Sequence, residues 1–86
     1  MPTLSTFRGI VIRMYYVEHP PPHFHAIYGD DEAIIAIEAL ELIEGELPRP
    51  VMGRVLDWAE LHKHELRDNW NRRQEHKRLN PIQPLE

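Results

Sequence analysis

The sequence predicts an α+β fold of two layers, an antiparallel three- to four-stranded meander covered on one face by one long C-terminal helix. Two observations predict it. Residues 7–38 carry three short runs of β-branched and aromatic residues, punctuated by proline and by Gly-Asp turn chemistry. Residues 50–74 then repeat apolar side chains at the helical period. A chain of 86 residues, 42% hydrophobic and 28% charged, allows one globular domain with a single modest core.

The first predicted strand is Phe7–Tyr16, with Ile10, Ile12, Met14 and Tyr16 on one face and Val11, Arg13 and Tyr15 on the other. Pro20, Pro21 and Pro22 lack amide donors and favour extended polyproline geometry, so residues 19–22 should be a stiff connector. A second strand follows at His23–Tyr28, and Gly29-Asp30-Asp31 turns the chain into a third, Glu32–Glu38. Leu42–Leu47 is a fourth candidate, diluted by Gly45 and three glutamates.

Pro50 suits the first turn of a helix, where its missing N–H costs nothing. From there Val51, Val55, Trp58, Ala59, His62, Leu66, Asn69 and Trp70 fall on one face. One helix to about Gln74 would be about 36 Å long, so its last turns, with Arg72 and Arg73, should project beyond the sheet. The expected domain is residues 1–79, with 80–86 an extended or frayed tail.

Zero cysteines exclude disulfides and thiolate sites. No apolar run approaches the length of a membrane span, and the N-terminus lacks the pattern of a signal peptide. The expectation is a cytoplasmic protein with no membrane contact. Its net charge of −4 is segregated: residues 29–47 hold seven acids and no base, whereas residues 48–86 hold eight bases and six acids. Such poles suit docking to a charged partner or to a second copy of the chain. An open sheet face exposing Val11 would also favour a homodimer.

The unusual run is His19-Pro-Pro-Pro-His23-Phe24-His25. On a strand His23 and His25 project to the same side, about 6.6 Å apart, while Phe24, Ala26 and Tyr28 point toward a core. Two arrangements are open. Either the helix covers the Phe24 face, leaving the histidines on an open face with Arg13 and Tyr15, or it covers the histidine face and His62 joins them. The first buries Phe24 and Tyr28 in place of two polar rings and is the expectation.

Three chemical readings follow. His19, His23 and His25 offer three nitrogen ligands to a divalent transition metal, with Asp30 or Glu32 offering an oxygen. Alternatively, His23 and His25 serve as acid and base in metal-free RNA cleavage, with Arg13 stabilising phosphorane charge and Tyr15 on the same surface. The third reading is purely structural, with histidines bonding across the strand and prolines blunting an edge. No cofactor is required by any motif. Trp58 and Trp70 read as core anchors, although Trp70 beside Arg72 and Arg73 could instead stack on a base.

Phe7-Arg8-Gly9-Ile10-Val11-Ile12-Arg13-Met14-Tyr15, Pro21-Pro22-His23-Phe24-His25-Ala26, Glu44-Gly45-Glu46-Leu47-Pro48 and Trp58-Ala59-Glu60-Leu61-His62 together resemble a small prokaryotic family. It is the domain of unknown function family 4160 (DUF4160), and the likeness covers about residues 1–70. The sequence departs from it after Glu38, where Ala39-Leu40 stands in place of a usual glycine. The resemblance implies no demonstrated activity. It does imply a setting, beside a second short gene (domain of unknown function family 2442) in toxin–antitoxin-like pairs. The expectation is therefore a small interaction domain whose histidine face binds a small protein partner from the adjacent gene, and RNA as a further candidate.

Overall fold

The computed structural model describes residues 2–85. Met1 and Glu86, the outermost residues of the expected domain and tail, lie outside the described residues. Five strands, β1 (Thr3–Phe7), β2 (Ile10–Arg13), β3 (His23–Tyr28), β4 (Asp31–Ala36) and β5 (Leu42–Gly45), precede two helices, α1 (Arg49–Leu61) and α2 (Lys63–Gln74). The sheet is an antiparallel meander in the order β1-β2-β3-β4-β5.

The extra strand comes from a turn inside the segment expected as one strand. Phe7 pairs with Ile10, and the two intervening residues, Arg8 and Gly9, both have positive φ (50° and 78°). Two left-handed residues make a tight hairpin turn whose twist matches the flanking strands. Arg-Gly is an unusual occupant of that turn, since arginine has no short polar side chain to favour the left-handed region. At the far end the strand stops at Arg13, and Tyr15 and Tyr16 belong to a connector.

Register separates the two faces. Ile10, Ile12, Phe24, Ala26, Ala33 and Ile35 point to one side and are buried without residue, with Phe7 beside them. Helix α1 covers them with Val51, Val55, Trp58 and Ala59. Trp58 is the anchor: its ring centroid lies 5.5 Å from that of Phe7 and 6.1 Å from that of Phe24. Its indole N–H donates to the Gln83 carbonyl at 2.8 Å, so the buried ring leaves no polar atom stranded. Tyr28, expected in the core, is at the end of its strand and is 37% exposed.

The single long helix divides at His62, whose φ of −118° and ψ of 22° leave helical geometry. Glu65 stands three residues into α2 and accepts from the His62 ring (Nδ1 to Oε1, 2.6 Å), while the His62 amide donates to the Trp58 and Ala59 carbonyls and so closes α1. His62 thus pairs with Glu65 and stacks on Trp58, apart from the strand histidines. Helix α2 does not project into solvent. It buries Leu66, Asn69, Trp70 and Arg73, reaching round the end of the sheet to the histidine side.

The segment after α2 has no helix or strand and is docked. Ile82 is 3% exposed and donates its amide to the Leu4 carbonyl at 2.7 Å, covering the outer edge of β1. Asn69 holds the same segment from inside, donating Nδ2 to the Asn80 carbonyl and accepting the Asn80 amide on Oδ1. Arg67 of α2 donates both Nε and Nη2 to Glu38, beyond β4. That bidentate bond holds the Glu38 carboxyl below the usual carboxylate range.

Candidate functional site

His23 and His25 leave β3 on the side opposite Phe24, as alternation requires. Arg13 pairs with His25 from β2, and Ile34 pairs with it from β4. The histidines do not stand on an open face, however: His23 is 7% exposed and His25 8%. The connector between β2 and β3 folds back over them, with Tyr15 edge-on to His25 at 4.6 Å. Trp70 closes the other flank, 5.1 Å from the His23 ring.

That connector delivers Glu18. Its Oε1 lies 2.6 Å from His25 Nε2, and its Oε2 lies 3.2 Å from His23 Nε2. One donor atom from each of Glu18, His23 and His25 lies within 4.8 Å of the others. The connector is held at two points beside Glu18. Arg73 Nη1 donates to the Tyr16 carbonyl at 2.8 Å, and the Tyr16 hydroxyl donates to the Lys77 carbonyl at 2.9 Å. The Arg73 guanidinium lies 3.7 Å from the centre of the Trp70 ring. Burial pulls the Arg73 pKa down from the ordinary arginine value, and the charge of Glu18 opposes that shift.

The far ring nitrogens are also spoken for. His23 Nδ1 lies 2.8 Å from the Pro21 carbonyl, and His25 Nδ1 lies 2.8 Å from Glu32 Oε2. A carbonyl oxygen only accepts, so His23 Nδ1 carries its hydrogen, and a neutral His23 then has a lone pair at Nε2. Glu32 and Glu18 also only accept, so the hydrogen of a neutral His25 serves one of its two contacts and leaves the other ring nitrogen with a lone pair facing a carboxylate. With that hydrogen on Nδ1, both ε-nitrogens present lone pairs toward Glu18, an arrangement that added protons or one metal ion would complete.

Glu18, to which the sequence reading gave no role, stands with His23 and His25 where His19 was expected. His19 is exposed and stands at the rim of a groove of about 300 Å³ also lined by Glu18, Pro20, Pro21, His23, Ile34, Ile43 and Glu44. It is outside the three-group cluster. Of the two oxygens expected near a metal, Glu32 backs His25 from the far side of its ring, and Asp30 lies exposed in the hairpin turn. Arg13 and Tyr15 do join His23 and His25, and the Arg13 Nε is buried without a hydrogen-bond partner. Trp70 and Arg73, considered as a base-stacking surface, are each 4% exposed and cover one another, while Arg72 pairs with Asp68. No helix among the described residues is long and apolar enough to cross a membrane.

A five-stranded α+β domain that brings two imidazoles and a carboxylate together is the class of protein these features define. Residues 9–71 match a family described as a domain of unknown function (DUF4160). The chain belongs to the DUF4160 family. No curated protein and no solved structure matches it.

Proposed function

We propose that the protein binds one divalent transition metal ion through His23 Nε2, His25 Nε2 and the Glu18 carboxylate. The observation that carries this is the meeting of both ε-nitrogens with one carboxylate, while both δ-nitrogens are committed to acceptors. Metal-ligating histidines nearly always donate their second N–H to a carboxylate or a carbonyl, which fixes the tautomer and aims the free lone pair. Glu32 and the Pro21 carbonyl fill those two roles.

Two imidazoles and one carboxylate suit zinc or ferrous iron. In a tetrahedral zinc site with bonds of about 2.0–2.1 Å, neighbouring donors are about 3.3 Å apart. His25 Nε2 lies 2.6 Å from Oε1 and His23 Nε2 lies 3.2 Å from Oε2, so loading would swing the carboxylate to bring one oxygen about 3.3 Å from both nitrogens. The carboxylates around both rings favour a cation over a phosphate, which supports metal binding above metal-free RNA cleavage.

Calorimetric titration of metal-free, untagged protein with Zn(II) tests the reading. One equivalent should bind, and Glu18→Gln, His23→Ala and His25→Ala should each weaken binding by at least about 100-fold. His19→Ala should leave affinity within about threefold, because its ring stands outside the donor set. Failure to bind one equivalent, or a His19→Ala loss equal to that of His23→Ala, would contradict the assignment.

A docking role is a second reading, favoured by the acidic stretch 29–47 and by Leu42 and Ile43, which are half-exposed on the edge strand β5. The small protein encoded by the adjacent gene is the partner to try, by co-expression and co-purification in low and high salt. Salt-sensitive co-elution supports docking through the acidic pole, and separate elution in low salt argues against it.

A further inference from the structure

We infer that β5 is a docking edge whose occupant is an extended segment of a partner protein, carrying lysine or arginine at alternate positions and paired as an added strand. The inference rests on the docking reading above and deepens it.

The two edges of the sheet differ. The outer edge of β1 is covered by the terminal segment, through the Ile82 amide on the Leu4 carbonyl. Strand β5 pairs with β4 on one side, and among the described residues no strand pairs with its other side. All four of its residues, Leu42–Gly45, are exposed, and Leu42 and Ile43 put apolar surface there. An unpaired edge presents a row of N–H and C=O groups that an extended peptide can satisfy.

Charge decides which peptide. Of the seven acids in residues 29–47, Glu38 is held by Arg67 and Glu32 lies on His25. The other five, Asp30, Asp31, Glu41, Glu44 and Glu46, form no ion pair among the described residues. Glu41, Glu44 and Glu46 lie on β5 or directly beside it. A divalent ion in the histidine site is balanced by Glu18 and Glu32, so metal loading leaves those carboxylates uncompensated.

A second copy of the chain does not answer that charge. Pairing β5 with its own counterpart would bring Glu41, Glu44 and Glu46 against like charges. The chain's bases are not on any free extended segment: Arg13 is in β2 between two strands, Arg8 is in a tight turn, and the other eight are in α1, in α2 or directly after it. Nucleic acid and anionic lipid are repelled by the same carboxylates. A separate basic strand is what remains. Its side chains on the groove side would meet Ile34, Ile43 and Glu44. The aliphatic stems of lysine and arginine cover apolar surface while their charged heads reach a carboxylate, and opposite charges on neighbouring strands add to the pairing.

The test titrates the full chain, in low salt, with a short capped peptide alternating lysine and valine. A second peptide replaces lysine with glutamate, and a third keeps the charge but is N-methylated at two adjacent central residues, which removes donors from both of its edges. The basic peptide should bind and slow amide exchange within Leu42–Gly45. N-methylation should weaken binding at least about tenfold, through lost backbone hydrogen bonds. Glu44→Lys, an exposed change, should weaken the basic peptide at least about threefold. Equal binding of the basic and N-methylated peptides, with exchange in β5 unchanged, would overturn strand addition and leave docking through the acidic pole intact. Equal binding of the acidic peptide would overturn the choice of a basic partner. No binding of either basic peptide would overturn both the added strand and the acidic pole as its attractor.

Discussion

At the level of single residues, the δ-nitrogens of His23 and His25 face Pro21 and Glu32, and both ε-nitrogens face Glu18. In the proposed metal site Glu32 matters through His25: its carboxylate, 2.8 Å away, accepts the Nδ1 hydrogen and leaves the lone pair on Nε2. Glu32→Gln should weaken Zn(II) binding by about 10–100-fold without changing the stoichiometry, read by the same titration. An unchanged affinity would mean that ring orientation is set elsewhere. The pairing of His23 with His25 was legible from alternation along a strand, because period two needs no tertiary information. Glu18 was not. It lies in a connector that folds back over the sheet, and proline content predicts stiffness without giving direction. The spacing Glu18-x₄-His23-x-His25 was the available signal, and it is short enough to have many other uses.

At the level of elements, the account depends on how α2 and the terminal segment are held. Asn69 is buried and satisfies both backbone groups of Asn80. Asn69→Ala strands those groups, so it should cost about 1–3 kcal/mol in urea unfolding and release amide protection at Ile82. Lost stability with protection at Ile82 unchanged would contradict that linkage. Two glycines offer a contrasting pair. Gly45 has φ +81°, and a Cβ built there meets the Glu32 carbonyl oxygen at 2.0 Å. Gly45→Ala should therefore destabilise by at least about 2 kcal/mol through strain and displaced β4–β5 pairing. Gly53 lies in α1 with nothing within 4 Å of the same position, so Gly53→Ala should stabilise by about 0.5–1 kcal/mol. Thermal unfolding of both variants in parallel checks the pair, and shifts of the same sign would refute the argument. Strand β3, strand β4 and the helical face of Val51, Val55 and Trp58 were readable because burial enforces their periods. The turn at Arg8-Gly9 and the break at His62 were not, since each depends on local geometry that no period announces. Leu40 belongs with them: it adopts φ +53°, in the left-handed region that a leucine seldom enters, and the meander still closes.

At the scale of the whole molecule, the fold separates two duties. One sheet face, α1 and the terminal segment bury the apolar residues around Trp58. The other face, closed by the connector and by Trp70, gathers Glu18, His23 and His25 in a setting largely shielded from water, with the half-exposed Glu32 behind His25. Arg73 joins the two, since it lies on Trp70 and ties the connector to α2 through Tyr16. X-ray absorption at the zinc edge of protein loaded with one equivalent of Zn(II) tests the central claim most directly. Two imidazole nitrogens and a carboxylate oxygen at about 2.0–2.1 Å are expected, with one further light atom completing the sphere. A spectrum without imidazole scattering would show that His23 and His25 do not hold the ion.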